Sequence, residues 1–205
     1  MDGRRSPLGW WLIGLIATTI AVLFCIQYVD RPVATYVETN LRHGALFEGA
    51  YDVLRPLPLL AVIALIWLGV QGFRMPAAAT VRHRTSVVAC WAIAWGLAMA
   101  EVLKHLFGRS QTYPEWALER IYRFHFLHGH EGYDAFPSGT MSVGGAVLAV
   151  LWLRLPRLRP LWAAILLLII FLLVVTDSHW VSDIIGGTFV GISVGWLTTN
   201  MLSHE

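Results

Sequence analysis

Charged residues are scarce in this chain of 205 residues, since Asp, Glu, Lys and Arg make up only 14% of it. A soluble domain of ordinary composition carries roughly a quarter. The formal net charge is only +2, so the chain lacks the bulk positive charge that indicates nucleic acid binding. Hydrophobic residues account for 57%, and the mean hydropathy is +0.61. The composition therefore excludes an ordinary soluble domain and indicates an integral membrane protein.

Cysteine is equally scarce, and both cysteines, Cys25 and Cys90, lie inside apolar runs. Isolated cysteines in such surroundings indicate small buried hydrophobes rather than a disulfide or a metal site. The sequence contains no Cys/His set with zinc spacing and no glycine-rich loop of the nucleotide-binding kinds. It therefore predicts neither a metal nor another cofactor.

Long apolar runs dominate the amino-acid sequence. A helix needs about twenty apolar residues to cross the hydrocarbon core. The first run is longer than the core of a secretory signal, so we expect it to be a retained span. We predict an all-α fold, one membrane domain over 1–205 with six transmembrane helices and an interfacial helix or loop between the third and fourth. The predicted spans are about 9–29, 56–73, 86–107, 138–154, 160–176 and 182–201.

The distribution of arginine predicts the orientation of the bundle, because positively charged loops stay in the cytoplasm. With both termini inside, the inner segments carry almost no acidic residue, whereas the outer loops are rich in them. We expect a multi-pass protein of a bacterial inner (plasma) membrane, with the loops 108–136 and 176–181 on the outer, periplasmic face. The inner arginines are Arg4, Arg5, Arg74, Arg82, Arg84, Arg154, Arg157 and Arg159.

A histidine and an aspartate four residues apart mark the junction between the last two apolar runs. If a helix opens here, His179 and Asp183 share one face, within reach of a hydrogen bond from the ring N–H to the carboxylate. That bond would fix the tautomer and leave the other ring nitrogen free to attack a substrate or take a proton. The alternative is a pair of polar residues that only stabilise a helix end at the water interface.

Two further polar clusters lie at the ends of predicted spans, on the same side of the membrane. Lys104 and Arg109 either snorkel toward lipid headgroups or clamp an anion such as phosphate. Ser138, Gly139 and Thr140 open the fourth span after a proline, as a capped helix start whose free N–H groups suit an anion. Alone, this second cluster is an ordinary helix cap.

Four further local features are predicted to shape the structure or its charge rather than to react with a substrate. Glu101 precedes Lys104 by one turn and is expected to pair with it locally. The glycines of the last span recur at helix-face spacing, which indicates close helix packing. Asp177, two residues before the histidine, either caps the last helix or adds to the charge of the site. The first outer connection, 30–55, has the spacing of a surface-lying helix.

The order of the three motifs resembles the type 2 phosphatidic acid phosphatase family, which shares its core with the vanadium haloperoxidases. The resemblance covers roughly residues 60–200. It implies that His179 attacks phosphorus to form a phosphohistidine, that Asp183 orients it, and that no metal is required. It also implies a set of residues that bind the phosphate, namely Lys104, Arg109, Ser138, Gly139 and Thr140.

The chain departs from the family pattern in three places, the first of which spans two residues. The family has arginine and proline where this chain has Gln111 and Thr112, and an arginine six residues before the nucleophile where this chain has Leu173. The second motif of the family ends in a histidine that protonates the leaving group, and here Thr140 stands in its place. A hydroxyl is too weak an acid for that step, and losing acid catalysis typically costs about a hundredfold to ten-thousandfold in rate.

The missing acid leaves three alternatives open. A histidine of the outer loops substitutes, with His130 preferred over His105, His125 and His128 because neighbouring glycines let its loop fold over the site. Otherwise the substrate is a diphosphate ester, whose leaving group hardly needs a proton. In the third alternative the protein binds an anionic lipid without turnover.

The leading hypothesis is a metal-independent membrane lipid phosphatase, which hydrolyses a phosphoric ester or a diphosphate. Its expected partners are the membrane and a phospholipid or polyprenyl phosphate substrate. Candidate substrates are phosphatidic acid, phosphatidylglycerol phosphate, a polyprenyl diphosphate and lipid A. The alternative is a catalytically impaired protein that binds or handles anionic lipids on the same scaffold. A transporter is disfavoured because the spans show no inverted repeat and no broken midplane helix.

Overall fold

The computed structural model describes residues 7–42, 44–73 and 81–202. Within these ranges the chain is helical apart from turns, an isolated bridge between Arg109 and Phe124, and one long loop. The predicted all-α class is therefore confirmed. The inner arginines Arg4, Arg5 and Arg74 lie outside the described residues. The helices are α1 (Pro7–Tyr28), α2 (Asp30–Asn40), α3 (Ala45–Leu54), α4 (Leu57–Phe73), α5 (Val81–Phe107), α6 (Ala117–Glu119), α7 (Gly139–Arg154), α8 (Arg159–Val175) and α9 (Val181–Met201).

Five helical stretches of the described chain are long and apolar enough to cross a membrane: Leu8–Tyr28, Ala45–Val70, His83–Phe107, Pro156–Val175 and Val181–Met201. The predicted fourth span, α7, has only 16 residues. At 1.5 Å per residue it reaches about 24 Å, less than the roughly 30 Å of the hydrocarbon core. The fold is thus the predicted polytopic bundle, with five full-length candidate spans and one shorter apolar helix.

The second span begins earlier than predicted, because it includes α3. The sequence analysis assigned Glu48 and Asp52 to an outer loop. Both residues lie on α3, which is otherwise apolar, and α2 precedes it as a separate helix. The expected helical character of 30–55 is confirmed. One face of α2, carrying Asp30, Ala34 and Val37, is buried against the bundle.

The helices α7 and α9 run parallel and pack closely along the glycines of α9. A Cβ placed on Gly191 would lie 2.7 Å from the carbonyl oxygens of Met141 and Ser142 on α7. Real Cβ atoms do not approach other atoms so closely, so glycine is required for this packing. The predicted glycine face is confirmed. It brings the first turns of α7 and α9 to the same end of the bundle.

The loop between α5 and α7 folds back over that end. Gly108 ends α5 with a φ of 51°, a left-handed conformation that glycine adopts without strain. The following chain returns alongside the last turn of α5, because Leu127 N–H donates to the Leu106 carbonyl at 2.9 Å and Gly129 N–H to the His105 carbonyl at 3.1 Å. The loop that carries the outer histidines is therefore anchored to α5.

Candidate active site

The last turn of α5 lies directly against the first turn of α7. A Cβ placed on Gly139 would lie 3.5 Å from Lys104 Nζ, so the ammonium group sits beside the start of α7. Lys104 also pairs with Glu101 at 2.9 Å, and its side chain is 17% exposed. The predicted local pair is confirmed. A lysine ammonium next to the positive end of a helix creates a region suited to an anion.

Ser138 caps α7 and connects it to α9. Its hydroxyl oxygen accepts a hydrogen bond from Met141 N–H at 3.3 Å, and the side chain is fully buried. Its own backbone N–H donates to the carbonyl of Asp183 at 3.1 Å. The second and third sequence motifs are therefore joined by a backbone hydrogen bond. Together with Lys104, all three motifs lie at one end of the bundle.

His179 and Asp183 lie close together without forming the expected hydrogen bond. His179 Nδ1 is 3.9 Å from Asp183 Oδ2, which is longer than a hydrogen bond. That nitrogen is buried without a hydrogen-bond partner among the described residues, while the side chain as a whole is 18% exposed. Asp183 Oδ2 instead accepts from Trp180 N–H at 3.1 Å, which caps the start of α9. A small rotation of the imidazole would bring the pair into contact.

Arg109 has surroundings that differ from those expected of a phosphate clamp. Its guanidinium is buried and forms ion pairs with Asp183 Oδ1 at 2.5 Å and with Asp30 Oδ2 at 2.7 Å. It also donates to the hydroxyls of Ser182 at 2.5 Å and Tyr122 at 2.8 Å. Both terminal nitrogens are thus engaged inside the protein, because two buried carboxylates meet there.

Aromatic rings complete the surroundings of Arg109. The rings of Tyr122, Phe124 and Trp180 have their centroids 5.2, 5.1 and 5.3 Å from its central carbon. Cation–π contacts at such distances stabilise a buried cation. Burial alone would lower the pKa of Arg109, but Asp183 first and then Tyr122 and Asp30 raise it above its usual value. Burial also raises the pKa of the Tyr122 phenol. The guanidinium is therefore a permanent charge, and the phenol a neutral hydrogen-bond donor.

Asp30 is a residue of this site that the sequence analysis missed. It is 1% exposed and accepts hydrogen bonds from Arg109, Tyr122 (3.0 Å) and both the amide (3.0 Å) and hydroxyl (2.5 Å) of Ser182. The carboxylate thereby connects α2 to the first turn of α9. In the sequence it is one outer acid among many, and nothing in its neighbours marks it.

The four outer histidines, one at the end of α5 and three on the following loop, contact residues of that loop. His130 is exposed, with Nδ1 2.8 Å from the Glu131 carbonyl. The ring of His125 stacks on Tyr133 with 4.3 Å between centroids. The Nδ1 atoms of His105 and His128 face the Gly129 and Phe126 carbonyls at 3.3 and 2.9 Å. None of these contacts joins an imidazole to His179.

The residues that differ from the family pattern lie in three different surroundings. Gln111 donates to Asp134 at 2.5 Å, within the loop. Leu173 is 2% exposed and belongs to the hydrophobic core. Thr140 is half-buried in the first turn of α7. Among the described residues, no group of three or more His, Cys, Asp or Glu side chains is arranged to hold a metal ion.

Asp177 occupies the turn between α8 and α9. It is 5% exposed, and its Oδ2 atom is buried without a hydrogen-bond partner among the described residues. Its carbonyl accepts a hydrogen bond from the Thr112 hydroxyl. Burial raises the pKa of its carboxyl group to about 7, with Arg42 lowering it and Glu38 raising it by smaller amounts. From the sequence alone, this residue is expected only to cap the last helix or to add to the charge of the site.

Comparisons with known proteins agree with the motif order. The model of the PAP2 superfamily matches residues 85–205. A lipid A 1-phosphatase of Rhizobium johnstonii is 25% identical over 207 residues, which cover 95% of this chain and 84% of that protein. A lipid A 1-phosphatase of Rhizobium etli is 29% identical over 100 residues, which cover 49% of this chain and 41% of that protein. No solved structure gives a significant match.

Proposed function

Because the chain belongs to the PAP2 superfamily, we propose that it is a membrane lipid phosphatase in which His179 takes the phosphoryl group. The observation that carries the proposal is the meeting of three helix ends. The ammonium group of Lys104 lies beside the start of α7, and Ser138 N–H binds the carbonyl of Asp183, four residues after the histidine. A cation, a helix start and an imidazole together suit an attack on a phosphoryl group.

The substrate we propose is a phosphorylated lipid, with a lipid A phosphate foremost because both relatives are lipid A 1-phosphatases. Other lipid monophosphates and polyprenyl diphosphates remain candidates for the same site. An apolar groove of about 320 Å³ between α1, α8 and α9 supports a lipid substrate. It reaches Val181, two residues after the nucleophile, and would hold part of an acyl chain. The groove is lined by Thr18, Ile170, Val174, Val181, Ile184, Ile185, Thr188, Phe189 and Ile192.

In the proposed reaction the phosphoryl oxygens lie against Lys104 and the free N–H groups at the start of α7, including those of Gly139 and Thr140. The Nε2 atom of His179 attacks phosphorus, and the imidazole turns its Nδ1–H toward the fixed Oδ2 atom of Asp183, which stabilises the imidazolium. Water then hydrolyses the phosphohistidine. Each step uses groups of the chain and water, so we propose a metal-independent reaction.

The role of Arg109 in this proposal differs from the one that the family resemblance implies. Its ion pair with Asp183 leaves only the second carboxylate oxygen of that residue facing the histidine. Arg109 therefore fixes the orientation of Asp183 instead of binding the phosphate. Asp30 holds the guanidinium through its other terminal nitrogen. In this way a buried ionic network positions the group that orients the nucleophile.

We further propose that the site faces the periplasm. The arginines at the junction of α7 and α8, Arg154, Arg157 and Arg159, lie at the far end of α7 from Ser138. Under the positive-inside rule that end is cytoplasmic. The first residues of α1 and the last residues of α9 then lie on the cytoplasmic side as well. Labelling of single cysteines with an impermeant reagent in intact cells tests this orientation.

Phosphate release by the purified protein in detergent tests the function. We expect release, in the presence of EDTA, from at least one of lipid A, phosphatidic acid, phosphatidylglycerol phosphate and a polyprenyl diphosphate. The His179→Ala variant should lose both release and the acid-labile phosphoenzyme. The matched control is Asp52→Asn, an exposed carboxylate on α3. Phosphate release by His179→Ala at the wild-type rate would exclude a mechanism that uses His179 as the nucleophile.

A second function, binding of an anionic lipid without turnover, is favoured by one set of observations. Leu173 is buried in the core and Gln111 is engaged with Asp134, so neither supplies the cation found in the family. This alternative predicts that vesicles containing lipid A bind the protein, that Lys104→Ala weakens the binding, and that no phosphate is released. A trapped phosphohistidine would exclude it.

A further inference from the structure

The proposed function lacks a proton donor for the leaving group. A lipid monoester leaves as an alkoxide, which is a strong base and needs a proton as the P–O bond breaks. Thr140 stands where the family has its acid, and the contacts of the outer histidines join none of their imidazoles to His179. The donor must therefore come from another side chain near His179.

Asp177 lies on the same turn as His179. Only Ser178 stands between them, so their Cα atoms are at most about 7.6 Å apart, twice the 3.8 Å between consecutive Cα atoms. The turn that carries this carboxyl group is therefore next to the nucleophile. Asp183, the other nearby carboxylate, is committed to the Arg109 ion pair and to the cap of α9. Asp177 is the nearby carboxyl group that keeps an oxygen without a partner among the described residues.

The turn that carries Asp177 is fixed by its backbone. Its N–H donates to the Val174 carbonyl at 3.1 Å, its carbonyl accepts from the Thr112 hydroxyl, and the next N–H donates to the Leu173 carbonyl at 3.2 Å. Asp177 itself has a φ of 48°, in the left-handed region that aspartate and asparagine adopt more readily than most residues other than glycine. A buried polar atom without a partner, such as Oδ2 of this carboxyl group, is often explained by a catalytic role.

We propose that Asp177 is the general acid of the reaction, in place of the missing histidine of the second motif. This inference rests on the proposed phosphatase function. As Nε2 of His179 bonds to phosphorus, the P–O bond to the lipid breaks and its electron pair stays on the lipid oxygen. The proton of the Asp177 carboxyl moves to that oxygen. The resulting carboxylate then takes a proton from the water that attacks the phosphohistidine, and inorganic phosphate leaves while both side chains return to their starting states.

The protonation of Asp177 near neutral pH supports this role. Its carboxyl group has a pKa of about 7, raised by burial. The charged groups that act on it are Glu38, in the last turns of α2, and Arg42, just after that helix. An acid of this strength is substantially protonated at the operating pH and still a good donor.

Two substrates with the same phosphate and different leaving groups test the inference. Lipid A represents the ester that needs a proton, and 4-nitrophenyl phosphate represents a leaving group that does not. We expect Asp177→Asn to lower kcat for lipid A by about a hundredfold to ten-thousandfold and kcat for 4-nitrophenyl phosphate by less than about tenfold. Asparagine is isosteric and tolerates positive φ, so the turn is preserved. Asp52→Asn should leave both rates unchanged.

The pH profile of the wild type provides a second measurement that needs no variant. Its kcat for lipid A should fall as pH rises above about 7, while its kcat for 4-nitrophenyl phosphate should not, because only the lipid ester needs the protonated carboxyl. Three outcomes would each overturn the role of Asp177. They are equal losses of kcat on both substrates in Asp177→Asn, full activity of that variant on lipid A, and identical pH profiles for the two substrates in the wild type. An inactive wild type without a phosphoenzyme would refute the proposed function itself, which makes the two failures distinguishable.

Discussion

The buried network around Arg109 leads to a quantitative prediction for Asp30. The Asp30→Asn substitution keeps the shape of the side chain and removes one of the two negative charges that face the guanidinium. It also places an amide N–H₂ group among donors from Arg109, Tyr122 and Ser182. At least one buried donor then lacks an acceptor.

The expected loss of stability follows from the burial of this network. Asp30 and Arg109 have side chains only 0% and 1% exposed, so water does not screen the change. Breaking a buried ion pair by removing one partner costs about 3–5 kcal/mol. For a protein of this size each kcal/mol shifts the midpoint of thermal unfolding by about 2–4 °C, so we expect a decrease of about 6–20 °C.

Thermal unfolding of the purified protein in detergent measures this decrease. The matched control is Glu38→Gln, which breaks the 2.8 Å pair with Arg120, whose side chains are 19% and 50% exposed. Such an exposed pair contributes less than about 1 kcal/mol. Asp30→Asn should also lower kcat, because Arg109 would draw Asp183 further from His179. A midpoint for Asp30→Asn within about 2 °C of the wild type would contradict the reasoning.

Three further predictions concern charge, packing and pH. Lys104→Ala should lower kcat/KM about 10-fold to 150-fold, the value of a charge-assisted hydrogen bond to phosphate, and an unchanged kcat/KM would exclude the lysine from the site. Gly191→Ala should destabilise the protein by about 1–3 kcal/mol in thermal unfolding, since its Cβ would meet α7. The control Gly49→Ala, whose Cβ meets nothing within 4 Å, should not. The pKa of Asp177 is raised to about 7, so its contribution to stability is fully present below about pH 4 and lost as pH rises through 7. Asp177→Asn should therefore unfold at a higher temperature than the wild type at pH 8 and at a similar temperature at about pH 4, and parallel pH curves would contradict a raised pKa.

The sequence predicts the parts of this protein that depend on local pattern. Apolar runs give the helices because a span must satisfy its own backbone hydrogen bonds in lipid. Glycine spacing on one helix face gives the contact between α7 and α9, and the i,i+3 spacing of Glu101 and Lys104 gives their ion pair. The start of the second span is predicted less well, because Glu48 and Asp52 make an apolar helix resemble a loop.

The sequence does not predict interactions that depend on tertiary packing. Arg109 and Asp30 are separated by 79 positions, and nothing in either local sequence indicates that they meet. The sequence does not show whether an arginine is exposed or buried. The family resemblance implies that Arg109 binds the phosphate, whereas in the structure it pairs with two carboxylates. Asp177 likewise has no sequence signal. Its burial and its unpartnered oxygen are properties of the folded turn.

The three departures from the family pattern all lower the positive charge of the site. Gln111, Leu173 and Thr140 each stand where the family has a group able to carry positive charge, so Lys104 and the helix start face the phosphate with less help. The Arg109 network adds no positive charge, because its one cation meets two carboxylates. An ionised Asp177 would add another negative charge beside a bound anion. A protonated Asp177 adds none and supplies the missing proton, which gives a physical reason for a buried carboxyl at this turn in a site with few cations.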